Sequence, residues 1–258
     1  TKLLIMINNY DSVAARISAG ATSSKNQDGT SYTATKRNWL SFVTVFVALL
    51  SFVFVQGQSS SANYSFTSGT STLNSMTGAT SLVTGNQDTW GSSVFPIGFN
   101  FIYMGNIYSH ISVNSNGQAR LHTTSAATAI GGSAVTGYAA STVTLAPMDG
   151  DNEVNNGMSY LVVGTAPNRK LIIEWNQFYA YWTDSTSSGN MQLVLNESTG
   201  VFEFLYGSIL NTSTASVTRS IFHSSSNTAN SSAFITVGAT PTQTTNTTTP
   251  TTNSFAAT

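Results

Sequence analysis

Few residues in this chain have the types and spacing that chemistry needs. The segment MDGDNEVNNG, residues 148–157, sets Asp149, Asp151 and Glu153 at alternate positions, with Asn155 and Asn156 behind them. Ca2+ takes six to eight oxygens from such side chains, so this loop is the candidate cation site. The EF-hand spacing is not met: no Gly stands sixth and no Glu twelfth. The other reading is an acidic surface turn. A second candidate is FYAYW, residues 178–182. If the run alternates as a strand, Phe178, Ala180 and Trp182 share one face, while Tyr179 and Tyr181 form another that could stack on a sugar. Aromatic strand faces also serve as core.

The third candidate depends on a turn. In SVNSNG, residues 112–117, a two-residue loop at Asn116 and Gly117 would set Val113 against Arg120 and spoil both faces. A three-residue loop, Ser115-Asn116-Gly117, opposes Val113 to Ala119 and Ile111 to Leu121, giving one apolar face. A one-residue slip exchanges the faces, so this pattern decides the register. Gly117 then occupies the left-handed position that closes such loops. The same register sets His110 across from His122, with Cβ atoms about 5 Å apart. Two imidazoles are a minimal metal site, and nothing in the sequence forces a third ligand beside them.

Catalysis finds little support. No G-x-S-x-G motif occurs, and none of the three histidines neighbours a nucleophile motif. Glycosidase chemistry needs two carboxyls facing one cleft, about 5–9.5 Å apart. Glu174 and Glu203 are the acids within strongly strand-like runs, and their alternation directs both to a solvent face of an outer sheet. The expectation is a domain without catalytic residues.

The elements that carry these residues are strands. Only 7% of the 258 residues are charged, against about 25% in an ordinary globular chain. Yet 14 Phe, 10 Tyr and 4 Trp provide a core, and Thr- and aromatic-rich chains suit pleated surfaces. Short runs such as FPIGFNFIYMG, RKLIIEWNQFYAYW, VFEFLYG and RSIFHS are broken by Gly, Asn, Ser or Pro, and no window shows a helical apolar stripe. Many short strands separated by turns predict an antiparallel β-sandwich, jelly-roll-like, over residues 58–238.

Outside that span, KRNWLSFVTVFVALLSFVFVQGQSSS has the cationic start, apolar stretch and small-residue end of a signal peptide. Residues 36–57 are therefore read as a signal-type hydrophobic helix cleaved before Gln58, and residues 1–35 as a leader outside the fold. The alternative is an anchor, since the apolar run is close to the ~20 residues that span a bilayer. Residues 239–258, rich in Thr, Pro and Asn, read as an extended linker to further domains. Segment 58–258 has four cations (Arg120, Arg169, Lys170, Arg219) and eight acids, a net charge of −4, which offers no basic field for nucleic acid. No cofactor is expected apart from Ca2+ at the acidic loop; the expected partners are glycans, other surface proteins and further domains of the same polypeptide.

Four stretches in order carry a resemblance: PIGFNFIYMGNIYSHISVNSNGQARL, TLAPMDGD, MSYLVVGTAPNRKLIIEWNQFYAYW and MQLVLNESTGVFEFLYG. Over about residues 62–238 the chain resembles the repeated β-sandwich modules of large secreted surface proteins of Bacteroidetes-type bacteria. More distantly it is similar to the nidogen-like extracellular domain. It departs from the pattern at Gln118, where an aromatic or large apolar residue is usual, and at Met148, where Trp is usual. The resemblance implies a secreted or cell-surface module with a structural or adhesive role, and no reaction. A carbohydrate-binding module attached to a secreted hydrolase is the alternative.

Overall fold

A computed structural model describes residues 2–8, 64–133, 143–182, 189–209, 216–224, 232–237, 240–247 and 251–255. They hold strands joined by turns and loops, and they contain no α-helix. Residues 1–9 and 58–258 form one compact unit and residues 10–57 another. The second unit, with the signal-type segment 36–57, lies outside the described residues. No helix among the described residues is long and apolar enough to cross a membrane.

The strands are β1 (Lys2–Asn8), β2 (Tyr64–Thr70), β3 (Thr80–Val83), β4 (Phe95–Tyr103), β5 (Asn106–Asn114), β6 (Gln118–His122), β7 (Thr144–Asp149), β8 (Glu153–Val154), β9 (Met158–Val163), β10 (Lys170–Trp175), β11 (Phe178–Tyr179), β12 (Met191–Asn196), β13 (Phe202–Tyr206), β14 (Val217–Ser224), β15 (Ser232–Thr236), β16 (Thr242–Thr247) and β17 (Thr252–Phe255). One sheet runs β2-β1-β13-β12-β10-β9-β3. The other runs β16-β15-β14-β7-β6-β5-β4, with β17 also paired to β14, and β8 and β11 form a small ribbon. Pairing is antiparallel in both large sheets.

The period of two explains how the sheets meet. In β4, Phe95, Ile97, Phe99, Phe101 and Tyr103 are buried while the residues between them are exposed. Val113, Leu145 and Ile221 of that sheet share one core with Leu171, Ile173, Leu193, Phe202 and Phe204 of the other. In each sheet sequence neighbours are sheet neighbours: β4-β5-β6-β7 and β9-β10-β12-β13, the latter interrupted only by the β11 ribbon strand. That order is a pair of meanders, in place of the crossed Greek-key order of a jelly roll.

The outer faces are covered as well, which corrects two expectations. Residues 71–79 lie over β10 and β12, where Asn74 exchanges hydrogen bonds with Gln192. Glu174 is consequently buried and accepts from Gln192 Nε2 at 2.8 Å instead of meeting solvent. Glu203 is half-buried and accepts from Asn196 Nδ2 at 3.0 Å.

Both ends of the expected domain move outward. β1, within the segment read as a leader, pairs with β2 and β13. The segment read as a linker supplies β16 and β17, which pair with β15 and β14. Its composition offers little to bury, but a strand can join a sheet through its backbone. Asn253 adds a polar tether: its Oδ1 accepts from Val237 N at 2.6 Å, and its Nδ2 donates to Ile235 O at 3.0 Å.

Candidate functional site

The β5–β6 hairpin has the three-residue register, pairing Val113 with Ala119, Ile111 with Leu121 and His110 with His122. Gly117 has φ +81°, and a Cβ there would lie 2.0 Å from Met148 O, so both backbone conformation and space demand glycine. The turn is not at the surface. Asn116 is 1% exposed, and three segments close around it. From residues 86–92, Asp88 O accepts from Ser115 Oγ at 2.5 Å and Trp90 O from Ser115 N at 2.9 Å. From residues 130–133, Gly132 O accepts from Asn116 Nδ2 at 2.6 Å. From the acidic loop, Asn152 N donates to Asn116 Oδ1 at 2.7 Å, and Asn152 Nδ2 donates to Asn116 O and to Met148 O. Trp175 Nε1 donates to Asn114 O at 2.7 Å. A buried polar group left unpaired costs about 1–3 kcal/mol, and this turn is paired on every side.

The acidic loop is organised by that turn. Asp149 is buried and accepts from Gln118 Nε2, so the amide at the first departure from the family pattern has a carboxylate partner. Glu153 is buried in β8 and accepts from Asn86 Nδ2. Asp151 alone of the three is exposed. No group of three or more His, Cys, Asp or Glu among the described residues comes together as metal ligands would. Asp88, half-buried nearby, keeps one carboxylate oxygen without a hydrogen-bond partner. Burial, and then the charge of Asp151, raise its pKa.

The two histidines also turn to protein partners. His122 is buried, with Nε2 2.8 Å from Ser112 Oγ, which in turn accepts from Ile130 N at 2.9 Å. His110 Nδ1 lies 2.8 Å from Ser109 Oγ. Burial first, then the charges of Arg120 and His110, lower the pKa of His122.

In the aromatic run, alternation ends after two residues. β11 is only Phe178–Tyr179, paired to Val154 and Glu153 of β8, and the chain then bends. Tyr179 is buried, not exposed as expected, whereas Trp182 is 46% exposed. Tyr181 is half-buried, its ring 6.0 Å from that of Trp182 and 5.9 Å from the Arg219 guanidinium.

Arg219 is the residue that the sequence reading missed. It is 6% exposed and donates from Nε to Asn152 Oδ1 at 2.5 Å, from Nη2 to Asp151 O at 2.6 Å and from Nη1 to Thr218 O at 2.7 Å. It thus joins the acidic loop to the aromatic run. A signal was available: Val217, Arg219, Ile221 and His223 fall on one face of β14, and a cation among core positions is rare unless paired.

The residues from β2 to the C-terminal strand coincide with a family match. The model of the family described as NIDO related matches residues 63–258. The chain belongs to the NIDO-related family. Membership points to an extracellular, non-catalytic module and agrees with the distant nidogen-like resemblance. No curated protein and no solved structure matches the chain. In this family member the second departure, Met148, lies beside the turn, where its backbone oxygen accepts from Asn152.

Proposed function

We propose that this NIDO-related chain is a secreted or cell-surface module with a structural or adhesive role in a larger multidomain protein. Its resemblance to the repeated modules of Bacteroidetes-type surface proteins supports this reading. The observation that carries the reading is the family match over the whole β2–β17 span. The fate of the reactive side chains agrees with it. Asp149, Glu153, Glu174, Glu203 and His122 each hold a partner that ties one strand or covering segment to another. Groups spent on holding the fold are poor acids, bases or nucleophiles. The test is adhesion: beads coated with the protein are scored for retention on cells and on extracellular matrix. Retention above that of an unrelated β-sandwich supports an adhesive role, and no retention on any surface removes it.

A second reading is a glycan-binding module, calcium-assisted at the acidic loop. It is favoured by one arrangement: exposed Trp182 beside Tyr181, on Arg219, whose Nη2 reaches the Asp151 backbone. Aromatic faces of this kind stack on sugars, and Asp151 is the acid left free to face a ligand. A glycan array with Ca2+ and with EDTA tests it. Binding that Trp182→Ala abolishes without lowering Tm supports the platform, and loss in EDTA or in Asp151→Ala adds the cation.

A further inference from the structure

β1 occupies an unusual place. It lies between β2 and β13, pairing from Lys2↔Thr70 to Asn8↔Tyr64 on one side and from Lys2↔Tyr206 to Met6↔Phe202 on the other. Both pairings are antiparallel, so β2 and β13 run parallel to each other with one strand's width between them, about 10 Å at the usual ~4.8 Å spacing. Removing β1 would leave two facing rows of unpaired N–H and C=O groups, the template that recruits another strand.

Three features, two observed and one expected from the sequence, set β1 apart from the domain it completes. The family match begins at residue 63, so β1 lies outside the sequence that defines the fold. Residues 9–63 separate β1 from β2 along the chain. Cleavage before Gln58, as the signal-type segment predicts, would sever β1 while leaving both walls of the gap intact. The β13 wall fits an apolar insert, while β2 turns only Tyr64 and Phe66 to the core. Phe202, Phe204 and Tyr206 of β13 are buried on one face, and Leu205 packs with Ile172 and Val194 on the other. Leu3-Leu4-Ile5-Met6-Ile7 is a continuous apolar run, and Leu3, Leu4 and Met6 stand in register with Leu205, Phe204 and Phe202 of β13.

We infer that the gap between β2 and β13 is a strand-acceptor site, and that Lys2–Asn8 is its exchangeable occupant. Affinity comes from main-chain hydrogen bonds on both edges, as in β-strand addition. The site takes an extended apolar peptide of about seven residues. This inference is independent of whether the domain adheres or binds glycans.

The test uses the full chain with a specific protease site inserted after Gly20. After cutting, size exclusion should show residues 1–20 eluting with the remainder. An excess of labelled peptide of residues 1–9 should then displace them and become bound. The Ile5→Pro peptide should compete roughly tenfold more weakly, the loss of about one ladder hydrogen bond. Four results would overturn the inference: the fragment separates from a remainder whose unfolding temperature is unchanged; its loss unfolds the domain, making β1 an integral strand; the fragment stays bound but no peptide displaces it over days; or both peptides compete alike.

Discussion

Arg219 and His223 stand four residues apart on the same face of β14, both buried, and they meet opposite surroundings. Around Arg219 oxygens converge: Asn152 Oδ1, Asp151 O and Thr218 O accept from its guanidinium, and Tyr181 covers it. Around His223 rings converge: Tyr64, Tyr103 and Phe202 lie with centroids 5.3–6.1 Å away. Its Nδ1 is 2.8 Å from Tyr103 Oη, while Nε2 has no partner. Tyr103 Oη donates to Ser224 O at 3.1 Å, so Nδ1 carries the hydrogen toward the phenol and Nε2 is bare. Burial drives the His223 pKa down to about 3. One strand thus supports a charge where acceptors were built for it, and a neutral imidazole where none were. Burial disfavours the charge at both positions, and only at Arg219 do partners offset it.

The largest effect should come from Gly117→Ala, which breaks the Arg219 end at its foundation. The new Cβ would overlap Met148 O, at 2.0 Å, from a backbone at φ +81°. The expected outcome is loss of cooperative unfolding in circular dichroism, with the protein recovered insoluble or molten.

Next is acid. Between the ordinary value of 6.5 and about 3, the unfolded chain binds a proton at this position and the folded one does not. Stability therefore falls as pH falls through that window, by ~4 kcal/mol from His223 at pH 3. The lowered pKa of His122 acts in the same direction. His223→Phe keeps the aromatic box and leaves Tyr103 bonded to Ser224. Denaturation midpoints between pH 7 and pH 4 should be flatter in that variant, and an unchanged slope would disprove the role.

Arg219→Met should cost ~3 kcal/mol in urea denaturation at pH 7, because it orphans the buried Asn152 Oδ1 and removes the part-buried bond to Asp151 O. Unlike the histidine effect, this loss should be the same at pH 5.

The smallest effect belongs to Glu197→Gln. Its carboxylate pairs with Arg169 in a bidentate contact, Nη2–Oε1 at 2.5 Å and Nε–Oε2 at 2.8 Å, between half-buried side chains in loops flanking β10 and β12. Such pairs contribute little, so Tm should barely change, and less in high salt. A large loss there would overturn the contrast between a half-buried pair and the buried Arg219.

Much of the hairpin was legible because register follows from alternation: Ile111, Val113, Ala119 and Leu121 admit one pairing that keeps a face apolar. The same rule failed at FYAYW, where β11 stops at Tyr179 and the bend exposes Trp182 from the other set. It also failed at Glu174, since alternation assigns a face but not what covers it, and residues 71–79 cover that one. The acids at 149, 151 and 153 looked like a single ligand set because spacing was all that could be read. Their actual partners, Gln118 and Asn86, lie 31 and 67 residues away.

By itself the sequence determined an all-β chain, the turn at Ser115-Asn116-Gly117 and the pairing of His110 with His122, because these depend on local period and on a glycine's freedom. Only the tertiary structure decided which polar residues are buried and what satisfies them. It alone enclosed the turn, joined the acidic loop to the aromatic run through Arg219, and brought β1, β16 and β17 into the sheets. Hydrogen bonds between distant segments are set by the closing of the chain upon itself, and no local pattern encodes them.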